Sequence, residues 1–161
     1  MPVSTLPQPA LSTGVAGTGP AFSAYASATQ TVTLNTATKV AIDTENFDTN
    51  SNFDTTNNRF TPTVAGYYQV NAVVRGTAAS TFTSMITFIY KNGSEIARSN
   101  IGANLTATAT VMMQVSSIIY MNGTTDYLEV YGLVNGTGTA NFAFSTAAAT
   151  SQFSACLMRA A

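Results

Sequence analysis

The chain has 161 residues, a length that suits one domain with a sizeable core. Charged residues make up only 8% of it, against roughly 25% in an ordinary soluble protein, and six Lys+Arg against seven Asp+Glu leave a net charge of −1. Six scattered cations do not build the basic face that a nucleic acid requires, and no stretch approaches the ~20 apolar residues of a membrane span, so neither nucleic-acid binding nor membrane insertion is expected.

Residues 1–20 are Pro, Gly, Ser and Thr with isolated aliphatics. Such a segment has no packed element of its own and reads as an extended arm, with Val3, Leu6, Leu11 and Val15 as its candidate docking residues. The arm lacks the basic residues of a secretory leader, and three prolines (Pro2, Pro7, Pro9) interrupt any apolar run, so the protein is expected to be made in the cytoplasm of its host cell. From Ala21 onward the pattern is strand after strand. In Gly66 to Arg75, Tyr68, Val70, Ala72 and Val74 fall on one face and Gln69, Asn71 and Arg75 on the other, a period of two rather than 3.6. Further strands are expected over Thr81 to Tyr90, Val111 to Met121, Tyr127 to Val134 and Gln152 to Met158. The 27 threonines suit this reading, because a branched β-carbon packs well on a pleated surface. Asn92-Gly93, Asn122-Gly123 and Asn135-Gly136 each adjoin a strand-like run and signal hairpin turns. The sum is an all-β, antiparallel sandwich or jelly roll of about ten strands filling residues 21–161.

These residues also carry a family resemblance. Asp48, Phe53, Phe60, Gly66 and Tyr68 are spaced as in the signature of C1q-like domains, and Phe60 opens the segment Phe-Thr-Pro-Thr-Val-Ala-Gly-Tyr-Tyr that resembles its most recognisable part. Ala21-Phe22-Ser23-Ala24 resembles the first strand of that family and Phe153-Ser154-Ala155 its last. Ile42, Val70 and Ala72 stand where the family usually has aromatics, which marks a distant branch. The resemblance implies a jelly roll of the C1q and tumour-necrosis-factor type that packs as a homotrimer. The segments Gly-Pro-Ala-Phe-Ser-Ala-Tyr and Phe-Asp-Thr-Asn look most like versions found on bacteriophage particles. They imply a structural protein on the virion surface, with a coat subunit or another virion protein as partner. The role expected is capsid decoration through the arm; the alternatives are the receptor-binding tip of a tail fibre or spike, or a secreted module that binds proteins or glycans. A nearly uncharged surface fits self-association.

Catalysis finds little support in the residues. With no His, neither a Ser-His-Asp nor a Cys-His arrangement exists, and Cys/His zinc sites are excluded with them. Cys156, within the apolar run Ala155 to Met158, is expected to be a buried, inert thiol. No cofactor is expected. Asp43, Glu45, Asp48 and Asp54 form the one oxygen-rich stretch that calcium could use, and some C1q-like domains carry calcium, but the many Asn among them favour ordinary Asx turns. Met113, Tyr120, Tyr127 and Tyr131 are the candidates for a three-fold interface, since an apolar strand of this length must expose some of its side chains outside a sandwich core.

Overall fold

The structure, a computed structural model, describes residues 19–78, 82–105, 109–137, 142–144 and 150–161. The expected arm, with Val3, Leu6, Leu11 and Val15, lies outside the described residues except for Gly19 and Pro20. In chain order the strands are β1 (Ala21–Tyr25), β2 (Gln30–Val32), β3 (Thr38–Lys39), β4 (Thr44–Asp48), β5 (Phe53–Asp54), β6 (Arg59–Phe60), β7 (Gly66–Ala78), β8 (Phe82–Lys91), β9 (Ser94–Leu105), β10 (Ala109–Met121), β11 (Leu128–Gly136), β12 (Phe142–Phe144) and β13 (Gln152–Ala160). Ten of these span three residues or more and the other three are two-residue pairings. Among the described residues all pairings are antiparallel.

One sheet centres on β7. Along one edge β7 pairs with β10 over its whole length; along the other it pairs first with β13 and then with β12. Beyond β13 lie β1 and β4, and beyond β12 lies β2. The second sheet runs β5, β6, β11, β8, β9, with β3 also on β11. The two sheets face each other as a jelly roll, and the period-two residues Tyr68, Val70, Ala72 and Val74 of β7 are all buried between them.

An aromatic cluster holds one end of the sandwich. The Phe22 ring stacks on Phe53 at 4.8 Å and on Phe60 at 4.4 Å, and meets Phe153 edge-on at 4.9 Å. Tyr68 packs edge-on to Phe60 at 5.7 Å. Its hydroxyl donates to the Val64 carbonyl at 2.8 Å, and burial pushes it up to about 12. Rings in such contact add roughly 0.5–1.5 kcal/mol per pair beyond their buried area. Phe53, Phe60 and Tyr68 thus meet at one place with Phe22 of the first strand and Phe153 of the last, and Gly66 lies against the far end of that last strand. Asp48 sits beside them, its carboxylate accepting from Asn50 N at 3.1 Å and Phe53 N at 2.6 Å.

Several expectations are corrected. Glycine at position 66, which the sequence marks only by its spacing, is required by close approach of β13: an added Cβ would lie 2.4 Å from the Arg159 carbonyl oxygen. Asn92-Gly93 is a type I′ hairpin turn, with φ of 53° and 78°. Asn122-Gly123 is not: only Gly123 has positive φ, and the connection leaves β10 in one sheet for β11 in the other. Asn135-Gly136 ends β11 at a register irregularity against β8. Cys156 is exposed, because Phe153 and Ala155 take the inward positions and the period of two turns Cys156 outward.

Gly132 faces inward from β11, and a Cβ there would lie 2.2 Å from Cζ of the buried Phe144 ring. Gly132→Ala is therefore expected to force Phe144 out of its place and destabilise the fold by about 1–3 kcal/mol, as overpacked cores do. The check is the thermal unfolding midpoint at one fixed protein concentration; an unchanged midpoint would show that this core is loosely packed.

Candidate interaction face

Alternation along β7 and β10 assigns each residue a face. Val111, Met113, Val115, Ile119 and Met121 point into the sandwich, so Met112, Gln114, Ser116, Ile118 and Tyr120 point away from it. On β7 the outward set is Tyr67, Gln69, Asn71, Val73, Arg75 and Thr77. The register joins the two sets across the ladder: Tyr120 lies opposite Tyr67, Ile118 opposite Gln69, Ser116 opposite Asn71, and Met112 opposite Arg75.

Two properties of this face stand out. It keeps large apolar groups in solvent: Ile118 is 61% exposed, Met112 53%, Tyr67 46% and Tyr120 44%. It is also almost uncharged, since β7 and β10 carry one ionisable cation, Arg75, and no acid. Tyr67 and Tyr120 pack together with ring centroids 5.5 Å apart. Between the apolar ends lies an amide cluster. Gln69 Nε2 donates to Ser116 Oγ at 2.8 Å and to Asn71 Oδ1 at 3.4 Å, and Ser116 Oγ donates to Asn71 Oδ1 at 2.9 Å. The same row continues across the sheet as Ser154 on β13 and Ser23 on β1, where Asn46 Nδ2 donates to Ser23 Oγ at 3.1 Å.

Of the four residues expected at an interface, Tyr120 lies on this face. Met113 points between the sheets, and its carbonyl accepts from the Thr87 hydroxyl at 3.2 Å. Tyr131 stands on the outside of the second sheet, stacked on Tyr90 at 4.2 Å. Burial, with the negative charge of Glu129, holds its hydroxyl above the ordinary tyrosine value. Tyr127 precedes β11 with the Arg59 guanidinium over its ring at 4.4 Å. Tyr67 and Ile118 were not singled out from the sequence. For Tyr67 the parity of its own strand was enough; β10 has apolar residues on both faces, so its pattern does not say which face is inside.

The acids of the candidate calcium stretch are kept apart by their own turns. Asp43 accepts from the Ser27 amide and hydroxyl, both at 2.8 Å. Asp54 accepts from Thr56 N and Asn57 N, both at 2.9 Å. Asp48 caps the turn into Phe53, and Glu45 is exposed on β4. Among the described residues, no three metal-ligating side chains come together.

Next to the Tyr120 end, Lys91 Nζ donates to the Tyr120 carbonyl at 2.7 Å and pairs with Asp126 Oδ2, also at 2.7 Å. Burial works against the charge on Asp126. Hydrogen bonds from Lys91, Asn92 and the Asn122 amide, with the attraction of the ammonium, outweigh it and hold the carboxyl below its usual 3.8. A carboxyl lowered by folding stabilises the protein above pH 3.8, and that contribution is lost as the pH falls through the folded value. Asp126→Asn is expected to lower the unfolding midpoint at neutral pH and to narrow the gap between neutral and about pH 3. A pH profile parallel to the parent's would mean that the Lys91–Asp126 pair adds nothing to folding.

No protein-family model matches this sequence, and no curated protein does. Solved structures do. The globular domain of zebrafish complement 1qA protein superposes with a TM-score of 0.63 at 13% identity, over 89% of this chain and 99% of that one. Eiger TNF from S. frugiperda gives 0.62 at 9% identity, covering 89% and 93%. Murine APRIL at pH 5.0 gives 0.63 at 11%, covering 87% and 99%. The fold is a C1q/TNF-like jelly roll.

Proposed function

We propose that this chain is a non-enzymatic assembly module, three copies of which pack through the outer face of β7 and β10 into a head that decorates a bacteriophage capsid. The observation that carries the self-association is that face itself, which leaves Ile118, Met112, Tyr67 and Tyr120 in solvent on strands with a single charge. Apolar surface gathered on strands with so little charge is favourably removed from water by a matching surface, and a second and third copy would supply one. The C1q/TNF-like fold supports the same reading. The place on a virion rests on the phage-like segments of the sequence, with residues 1–20 as the part that docks onto a coat protein. Such a clamp requires no chemistry: it binds the assembled shell and so shifts the equilibrium toward it.

Light scattering is expected to give a mass near three times the 16.8 kDa of one chain. Ile118→Asp, which places a carboxylate on the face without touching the core, is expected to reduce it to one chain. A parent of monomer mass, or a variant that remains trimeric, would remove the proposed interface. Deleting residues 1–20 is expected to leave the trimer intact while abolishing its recovery with particles after sedimentation. Full recovery of the truncated protein would exclude the arm as the docking segment.

A further inference from the structure

The amide cluster in the middle of the face has a donor and an acceptor left over. Gln69 Nε2 and Asn71 Oδ1 are engaged with each other and with Ser116, as described above. Among the described residues, Gln69 Oε1 and the Nδ2 of Asn71 have no partner. One is an acceptor, the other a double donor, and both belong to outward-facing side chains that their neighbours hold in place.

Covering such a face with an apolar partner would strand both groups without water, and a buried unsatisfied amide is destabilising. A partner must therefore bring a donor to Gln69 and an acceptor to Asn71. A second copy of the same cluster has both. We infer that Gln69 and Asn71, braced by Ser116, set the register of self-association by pairing with the same residues of a neighbouring copy. The apolar residues around the cluster supply adhesion without direction, since Ile118 and Met112 tolerate sliding. The amides do not, because a shift of one residue along the strand breaks every bond they make. This inference rests on the proposed self-association and deepens it by naming the residues that select one arrangement.

The test uses the full chain and three proteins: the parent, Gln69→Glu and the double variant Gln69→Leu/Asn71→Leu. Glutamate has the shape of glutamine when protonated and brings a charge into the interface when ionised. The mass of Gln69→Glu is expected to fall toward one chain at neutral pH and to return to the parent's at about pH 4, while the parent has one mass at both. The leucine pair is expected to remain associated but with a spread of masses instead of one. Parent-like mass for Gln69→Glu at both pH values, or a single parent-like mass for the leucine pair, would overturn the inference while leaving self-association standing. A monomeric parent would overturn both.

Discussion

Everything in this molecule is organised by the alternation of one strand. β7 is paired on both edges, so its side chains have only two places to go. Tyr68, Val70, Ala72 and Val74 enter the core and are fully buried. Tyr67, Gln69, Asn71 and Arg75 are then bound to the opposite face, together with the β10 residues that the register sets beside them. A slip of one residue would exchange the two sets, exposing four core side chains and burying an arginine and two amides. The same pattern that builds the core therefore also presents the candidate interaction face, with no separate design needed for it.

The residues that identified the fold from the sequence turn out to be neighbours for packing reasons. Phe22, Phe53, Phe60 and Phe153 come from the first strand, the short strands β5 and β6 and the last strand, and they close one ring cluster. Asp48 orders the turn that delivers Phe53, and the Tyr68 hydroxyl ties the segment entering β7 to its own strand. Gly66 allows the β13 backbone to come close enough to seal that end. Their spacing along the chain is the imprint of a junction between early and late strands.

The long strands could be read because each is a run rich in apolar and β-branched residues, alternating most cleanly in β7: β7, β8, β10, β11 and β13 were all expected within a few residues of their ends. β9 was not, and the reason is physical. It is the edge of its sheet, its described side chains are exposed or half-buried, and only Ala97 packs on the core, so no apolar pattern is written along it. The Asn-Gly signal reports a local preference for positive φ, which Asn92-Gly93 satisfies; it does not say whether the chain folds back in one sheet or crosses to the other. Cys156 shows the limit of composition: its neighbours are apolar, yet its parity puts it in solvent.

Composition also concealed where the charges lie. The pairs Lys39–Glu129, Arg59–Glu129, Lys91–Asp126 and Glu95–Arg98 all belong to the second sheet and its connections. The central ladder of the first sheet has only Arg75. Low total charge alone would suit a weakly soluble monomer. Glu45 and Asp48 on β4 and Arg159 on β13 keep charge on other strands of the first sheet, but the β7 and β10 ladder differs in character from the second sheet: the second sheet is anchored in water by ion pairs, and the ladder has little charge to desolvate. The proposed self-association through the first sheet would bury no ion pair of the second. An interface there, as proposed, would avoid the desolvation penalty that burdens most charged surfaces, and what it would still have to resolve is direction, which apolar contact does not provide and the proposed pairing of amides does.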